Sequence, residues 1–211
     1  MPYLYENQIT FEKSVTYFRS EDAPQRVYNY NPDIKLILII RNPVSRAITE
    51  YTYELLRKKA NFRESEKYVS VNFEKTFFDK TSNIITNQSD KIIATGIYID
   101  SYKRWLKYFS NKQILVLNGE YFINNPYNEV KMVENFLNLT SFIQKDHFVY
   151  AKKHGFYCIK KDLNGTEITC AGLNKTTEQP YIAPNLVKKL ENYYKPFNEE
   201  LFKLINIKPF W

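Results

Sequence analysis

The hydrophobic and polar positions around residue 40 form the clearest pattern in the chain. Five consecutive apolar residues, Leu36 to Ile40, end at Arg41, and an unbroken run of this kind predicts a strand of a parallel sheet with both faces buried. Asn42 then stands where a helix cap is expected, and Pro43 lies in the first turn, where a missing N–H costs nothing. Apolar residues recurring at three- and four-residue steps predict a helix over Pro43–Lys58 with one buried face.

Similar patterns elsewhere predict further strands and helices. Residues 61–90 are polar and poorly patterned, so we expect a long excursion with little regular structure there. Strands that alternate with helices predict an α/β fold with a parallel sheet flanked by helices, and the length suits one domain. The other predicted elements are, in order, a strand near Gln8–Glu12, a helix over Ala23–Tyr30, a helix over Ile97–Tyr108, a strand over Gln113–Leu117, a helix from Pro126, a cysteine-flanked hairpin and a helix from Pro184 to about Tyr194.

Composition and charge narrow the class of protein. Hydrophobic residues make up 44% of the chain and aromatic residues 17%, which excludes a disordered chain. The formal net charge of +7 and the pI of about 9.1 indicate an anionic partner and leave nucleic acid, anionic lipid and acidic polysaccharide open. No apolar run approaches about 20 residues, so no membrane span is expected within these residues.

The chain has two cysteines, Cys158 and Cys170, separated by a segment that contains Asn164-Gly165. Asn-Gly between β-forming residues predicts a two-residue hairpin turn, and such a hairpin would bring the two sulfurs within reach of a disulfide. The alternative, two unrelated thiols in a reduced protein, stays open from the spacing alone. Four glycosylation sequons, which would suit a secretory location, begin at Asn87, Asn138, Asn164 and Asn174.

The turn between the central strand and helix concentrates candidate binding groups. Arg41 and Arg46 supply cations there, and Ser45 or Thr49 supplies a hydroxyl. Ligands of open α/β sheets bind where strands lead into helices, and helix N-termini favour phosphate. The alternative is that both arginines simply pair with surface carboxylates.

Four segments carry motifs that are informative in combination: FEKSVTYF (Phe11–Phe18), RNPVSRAITEYT (Arg41–Thr52), GIYIDSYKRWLKYF (Gly96–Phe109) and the cysteine-bearing segment Gly155–Cys170. In this order they resemble the heparan sulfate sulfotransferases, and most closely the glucosaminyl 3-O-sulfotransferases. The resemblance extends from about Ile9 to Trp211 and implies a P-loop-like sulfotransferase fold.

The resemblance also implies an activity and a location. It implies sulfate transfer from 3′-phosphoadenosine 5′-phosphosulfate to a glucosaminyl 3-hydroxyl of heparan sulfate or a related acidic glycosaminoglycan, with no metal and no nucleic-acid partner. It implies a structural disulfide between Cys158 and Cys170, which closes the hairpin near the C-terminus. The expected location is the Golgi lumen, with any membrane anchor upstream of these residues.

Site residues carry over from the family position by position. Arg41 and Thr49 match the pair that binds the 3′-phosphate, with Thr49 standing where the family usually has serine. Lys13 matches a lysine at the reaction centre, near donor and acceptor. Lys175 matches a lysine that contacts the nucleotide and the acidic acceptor, and Tyr53 stands where a glutamine contacts substrate. Without the resemblance, Lys13 would be a solvated surface residue, and Thr49 would bond back to a carbonyl one turn earlier.

Several positions depart from the family pattern. Thr176 and Thr177 replace the glycine and arginine that follow the lysine, which removes a bidentate clamp for sulfate or carboxylate. No glycine precedes Gly96, so the Gly-rich phosphosulfate loop has no counterpart, and no carboxylate lies in the motif of the general-base glutamate. We therefore expect residues 1–211 to form a single, N-terminally incomplete sulfotransferase domain.

Two other functions remain open. One is a non-catalytic heparan-sulfate-binding protein that keeps the cleft, and the other is a nucleic-acid-binding domain, which only charge and aromatic content favour. A basic cluster beside the first cysteine is either a rim contact for a polyanionic sugar chain or a solvated hairpin; it comprises Lys152, Lys153, His154, Lys160 and Lys161. His147 and His154 are too far apart to indicate a metal site.

Overall fold

The described strands form a parallel pair, from residues 36–40 and 114–118, and a three-stranded antiparallel sheet after residue 147. The computed structural model describes residues 8–58, 73–75, 77–78, 91–153, 155–162, 165–170 and 181–211. The regular elements are α1 (Ala23–Tyr30), β1 (Leu36–Ile40), α2 (Pro43–Lys58), α3 (Lys91–Ala94), α4 (Tyr98–Leu106), β2 (Ile114–Asn118), α5 (Gly119–Asn124), α6 (Pro126–Leu137), β3 (Phe148–Ala151), β4 (Phe156–Lys160), β5 (Ile168–Thr169) and α7 (Pro184–Ile205), with 3-10 turns at Tyr17–Arg19, Asn111–Gln113 and Lys145–His147.

Strands β1 and β2 run parallel, in a register that joins Leu36 to Ile114 and Ile40 to Asn118. Parallel strands need a crossover between them, and here the crossover includes helix α2, so the α/β prediction is confirmed. Because the register is in step to its last pair, both strands end at the same edge of the sheet. The residues that follow, Arg41 and Gly119, are therefore neighbours.

Two strand predictions are wrong. The side chains of Ile37 and Ile39 are 42% and 54% exposed, whereas the apolar run predicted burial on both faces. Successive side chains of a strand point to opposite faces, and only the face that carries Ile40 meets the core. Residues Gln8–Glu12 form no strand and are exposed, because a β-forming segment needs a neighbouring strand and no described strand pairs with it.

The hydrophobic core lies where helices α2, α4 and α7 meet the buried face of the parallel pair. At its centre Tyr194 is fully buried, and its hydroxyl donates to the carbonyl of Ile93 at 2.9 Å. The ring lies so close to Gly96 that a Cβ there would be 2.8 Å from ring atoms. Glycine at this position is therefore a packing requirement, since added atoms in a filled core force neighbours to move.

Helix α7 is longer than predicted. The sequence pattern ended it at about Tyr194, but it continues through Pro196 to Ile205. Leu201 and Phe202, on the added turns, are 1% and 3% exposed. Their burial stabilises the helix beyond the proline, because tertiary packing rather than local propensity supplies most helix stability. None of the described helices combines the length and apolar character needed to cross a bilayer.

Strands β3, β4 and β5, joined by a disulfide between Cys158 and Cys170, form what we call the cysteine sheet. The pairing of Ile159 with Thr169 places the two cysteines directly opposite each other, so the predicted disulfide-closed hairpin is confirmed. Asn164, the first residue of the predicted two-residue turn, lies outside the described residues. Beside it, Lys161 donates its N–H to the carbonyl of Glu167 and Gly165 donates its N–H to the carbonyl of Asp162, both at 2.8 Å.

Candidate functional site

The side chain of Asn42 caps the N-terminus of helix α2. The Oδ1 atom of Asn42 accepts the N–H groups of Val44 at 2.9 Å and Ser45 at 3.4 Å. This contact pairs two of the donors that a helix N-terminus otherwise leaves without partners. The predicted cap is confirmed, and it fixes the direction in which the chain leaves Arg41.

A carboxylate from the second strand end joins this turn. Glu120, in the first turn of α5, accepts the N–H of Asn42 through Oε1 at 2.9 Å. The hydroxyl of Ser45 donates to the carbonyl of Asn42 at 3.0 Å and lies 3.4 Å from the same Oε1 atom. The same oxygen lies 3.7 Å from Nε of Arg41. The sequence analysis missed Glu120, although its position directly after a parallel strand was a usable signal, because the carboxyl ends of parallel strands meet at one edge.

Arg41 lies across the neighbouring glycine. A Cβ at Gly119 would be 2.6 Å from Cγ of Arg41 and 3.1 Å from the carbonyl oxygen of Ile40. The backbone of Arg41 is held as well, since its carbonyl accepts the hydroxyl of Tyr98 at 3.0 Å. We call these four residues, Arg41, Asn42, Gly119 and Glu120, the Arg41 edge.

The guanidinium of Arg41 makes no hydrogen bond to any described residue, and its Nε atom is buried. Its side chain is 35% exposed, so part of it faces solvent. A guanidinium offers five N–H donors in a planar fork that matches phosphate and sulfate oxygens. The Arg41 edge can therefore bind an anion without first breaking a hydrogen bond of the arginine within the described structure.

Arg46 differs from Arg41 in this respect. It pairs with Glu50 one turn along α2 and donates to the carbonyl of Ile92. The bond to Ile92 ties α2 to helix α3, so the second cation of the predicted cluster serves structural contacts.

Thr49 lies one turn beyond Ser45 and is partly buried. Its hydroxyl donates to the carbonyl of Ser45 at 2.8 Å, the back-bond that the alternative interpretation expected. A hydroxyl has a single hydrogen but rotates freely, so it would exchange this bond for one to an anion. One further turn along α2, Tyr53 is 62% exposed. Arg41 directly precedes the cap of the helix that carries Thr49 and Tyr53.

Lys13 is exposed and belongs to a segment without regular structure. The structure shows no contact between Lys13 and Arg41. The segment that follows Lys13 and the backbone of Arg41 are both attached to α4: Trp105 donates its indole N–H to the carbonyl of Phe18 at 3.1 Å, and Tyr98 donates its hydroxyl to the carbonyl of Arg41. Burial raises the pKa of Tyr98, which keeps its hydroxyl protonated as a donor.

Other predicted positions fall partly outside the described residues. Lys175, His154 and three of the sequons lie outside them, whereas Asn138 is exposed at the end of α6. In the basic cluster, Lys152 and Lys153 are exposed without an ion pair among the described residues, Lys160 lies 4.0 Å from Asp146, and Lys161 pairs with Glu167. The described part of the chain contains no group of three or more side chains suited to hold a metal ion.

Comparisons with known proteins agree with the motifs. A family described as Sulfotransferase domain matches residues 7–205. Heparan sulfate glucosamine 3-O-sulfotransferase 5 from Homo sapiens is 35% identical over 204 residues, which cover 97% of this chain and 57% of that protein. The human proteins named 3-O-sulfotransferase 3B1 and 6 are 34% and 32% identical, over 50% and 57% of their lengths. The predicted resemblance is confirmed, and the chain spans about half the length of these relatives.

A solved structure supports the fold. The chain is similar to a sulfotransferase from Alicyclobacillus acidocaldarius with a TM-score of 0.58 and 21% identity, over 92% of this chain and 64% of that one. At this identity the likeness concerns the fold alone, and it agrees with the predicted parallel sheet and helices.

Proposed function

This chain belongs to the sulfotransferase domain family, and on that premise we propose that it supplies the 3′-phosphate site of a heparan sulfate glucosamine 3-O-sulfotransferase. The observation that carries the proposal is Arg41, a partly exposed guanidinium at the carboxyl ends of two parallel strands without a hydrogen bond to any described residue. The donor would be 3′-phosphoadenosine 5′-phosphosulfate, which brings the sulfuryl group to be transferred.

The residues present fit one end of this donor. Arg41 would bind oxygens of the 3′-phosphate through its terminal nitrogens, since charge-assisted and bidentate contacts are the strong ones. Thr49 would add a hydroxyl from the same helix. The sequence before Gly96 contains no glycine, so the residues that would hold the phosphosulfate end are not part of this assignment.

The reaction assigns roles to other groups. The 3-hydroxyl of a glucosamine forms a bond to sulfur as the bond between sulfur and the bridging phosphate oxygen breaks, and a carboxylate takes the hydroxyl proton. Lys13 would offset the negative charge that grows on the sulfuryl oxygens and leaving phosphate, which is electrostatic stabilisation of the transition state. Its exposure leaves its ammonium group accessible to both substrates.

Two features support the acceptor and the compartment. The formal charge of +7 favours a polyanion such as heparan sulfate, and Lys152 and Lys153 are exposed at one turn of the cysteine sheet. The disulfide between Cys158 and Cys170 suits an oxidising compartment such as the Golgi lumen.

Calorimetry with adenosine 3′,5′-bisphosphate, the nucleotide product, tests the proposal. Arg41→Ala should weaken binding about 10- to 100-fold, because a hydrogen bond to a charged group is worth about 1.5–3 kcal/mol. Arg26→Ala is the matched control, since Arg26 is an exposed arginine of α1. An affinity that Arg41→Ala leaves unchanged would sink the 3′-phosphate assignment.

A second candidate is a non-catalytic protein that binds heparan sulfate, which the formal charge of +7 and the exposed Lys152 and Lys153 would serve equally well. Transfer of radiolabelled sulfate to heparan sulfate separates the two, measured with the 211 residues and with a version extended upstream. Transfer by the extended version alone supports the enzyme. Heparin binding without transfer by either supports the second candidate.

A further inference from the structure

We propose that Glu120 is a positioning residue of the 3′-phosphate site, which holds the guanidinium of Arg41 from its Nε side and leaves the terminal nitrogens to the ligand. The inference rests on the proposed function of Arg41. It assigns a role to the carboxylate that follows β2, a residue far from Arg41 in sequence and adjacent to it only through the parallel register.

Glu120 is itself firmly held. Its Oε1 atom accepts the N–H of Asn42 at 2.9 Å. The hydroxyl of Ser45, which donates to the carbonyl of Asn42 at 3.0 Å, lies 3.4 Å from the same atom. Asn42 belongs to the turn that begins α2, so the carboxylate is fixed to the segment that carries Arg41. A fixed charge can orient a flexible side chain, whereas a mobile one would follow it.

The contact with Arg41 is an attraction without a hydrogen bond. Oε1 lies 3.7 Å from Nε, beyond hydrogen-bond distance, and Nε is buried without a hydrogen-bond partner among the described residues. Oε2 of Glu120 is likewise buried without such a partner. A buried carboxylate oxygen without a hydrogen bond is costly, and the positive charge of Arg41 offsets part of that cost. Each group therefore stabilises the other.

Gly119 completes the arrangement. A Cβ at this position would be 2.6 Å from Cγ of Arg41, so only glycine lets the arginine stem lie against the strand end. The stem is fixed by this surface and the head by Glu120. An arginine ordered before the ligand arrives loses less conformational freedom on binding, which raises affinity.

Glu120 also has an effect of the opposite sign. Glu120 carries a negative charge close to the bound phosphate and would repel it. The two effects predict opposite signs for Glu120→Gln, which keeps the shape of the side chain and removes its charge.

The experiment compares two nucleotides, adenosine 3′,5′-bisphosphate and adenosine 5′-phosphate, which lacks the 3′-phosphate. Ligand-observed NMR measures both affinities for the wild type, Glu120→Gln, Arg41→Ala and the double variant. We expect Glu120→Gln to weaken binding of the bisphosphate about three- to tenfold, the size of effect seen for coupled neighbours. The affinity for adenosine 5′-phosphate should be unchanged. In the Arg41→Ala background the same change should have no further effect. Glu50→Gln is the matched control, because Glu50 pairs with Arg46.

Each other result has a definite meaning. Tighter or equal bisphosphate binding by Glu120→Gln overturns the positioning role, and so does an equal loss for both nucleotides or an additive loss with Arg41→Ala. A wild type that does not distinguish the two nucleotides overturns the proposed 3′-phosphate site itself. If Glu120→Gln does not fold, Gly119→Ala displaces the arginine without changing any charge and should produce the same selective loss.

Discussion

The Arg41 edge and the cysteine sheet both present cations, but they hold them differently. At the Arg41 edge the arginine is confined by Gly119 and Glu120, and its guanidinium makes no hydrogen bond to any described residue. In the cysteine sheet the backbone is fixed by a disulfide, while Lys152 and Lys153 extend into solvent.

This difference separates two kinds of anion binding. A confined, planar guanidinium discriminates between ligands by geometry, whereas exposed ammonium groups attract any polyanion and are screened by salt. Under the proposed function, nucleotide recognition would belong to the Arg41 edge and general attraction of a sugar chain to the cysteine sheet. The predictions below test whether the two regions are independent.

Removal of the disulfide should have the largest effect on stability and almost no effect on nucleotide affinity. Replacing both Cys158 and Cys170 by alanine should lower the free energy of unfolding by about 2–4 kcal/mol, since the crosslink restricts the unfolded chain. Urea denaturation measures this loss, and a reductant should lower the urea midpoint of the wild type but not that of the double variant. Affinity for adenosine 3′,5′-bisphosphate should stay within about twofold of the wild type. A large loss of nucleotide affinity would contradict the independence of the two regions.

Glu134 lies on α6, between the two regions in sequence, and its ionisation should matter for stability. Its carboxylate accepts the N–H groups of Phe142 and Ile143 at 3.0 and 2.8 Å and contacts Lys131 at 2.6 Å. The backbone bond from Ile143, with the contact to Lys131 and the bond from Phe142, lowers the pKa of Glu134 to about 2. The folded state therefore favours the ionised form, so its contribution is complete above the ordinary pKa of 4.5 and is lost as pH falls toward 2.

We expect Glu134→Gln to lower the urea midpoint at pH 7, by less than loss of the disulfide does. The difference from the wild type should shrink between pH 4.5 and 2. Glu199→Gln is the control, because Glu199 belongs to an exposed pair with Lys195. A difference that stays constant with pH would show that the ionised carboxylate is not the stabilising group.

The local sequence pattern was sufficient to predict the bounds of β1 and α2. Leu36–Ile40 and Pro43–Lys58 have the predicted bounds, or nearly so, because the apolar run, the cap and the helical period are all set by adjacent residues. The pattern could not give the exposure of Ile37 and Ile39. A run of apolar residues does not determine whether other elements cover one face of a strand or both.

The candidate site was predictable in part for the same reason. Arg41 and Thr49 follow from one continuous motif, whereas Glu120 is 78 residues from Asn42 and meets it only through the pairing of β1 with β2. The cysteine hairpin was predictable from nearby residues, because Cys158 and Cys170 are close in sequence and the β-forming residues beside them pair as β4 and β5.

The exposed lysines of the cysteine sheet should contribute to the binding of polyanions and not to the binding of the nucleotide. Reversing Lys152 and Lys153 to glutamate should weaken heparin binding by about 1–2 kcal/mol at low salt, as for basic residues near other anionic surfaces, which is roughly 5- to 30-fold. The effect should decline as salt rises. Reversal of Lys107 and Lys112, also exposed, is the matched control in surface plasmon resonance. Equal losses for both pairs would mean that net charge, and not the cysteine sheet, governs heparin binding.

The smallest expected effect concerns the hydroxyl of Thr49 at the Arg41 edge. Thr49→Ala should weaken the binding of adenosine 3′,5′-bisphosphate by about 1 kcal/mol, roughly fivefold. The variant loses the hydroxyl that would exchange its bond to the carbonyl of Ser45 for a bond to the phosphate. Thr49→Ser keeps the hydroxyl and should bind like the wild type. Thr52→Ala is the matched control, since Thr52 makes the same back-bond, at 2.8 Å to Ile48, from a buried position. Calorimetry that finds equal losses for Thr49→Ala and Thr52→Ala would limit Thr49 to its helix contact and leave Arg41 as the single group assigned to the 3′-phosphate.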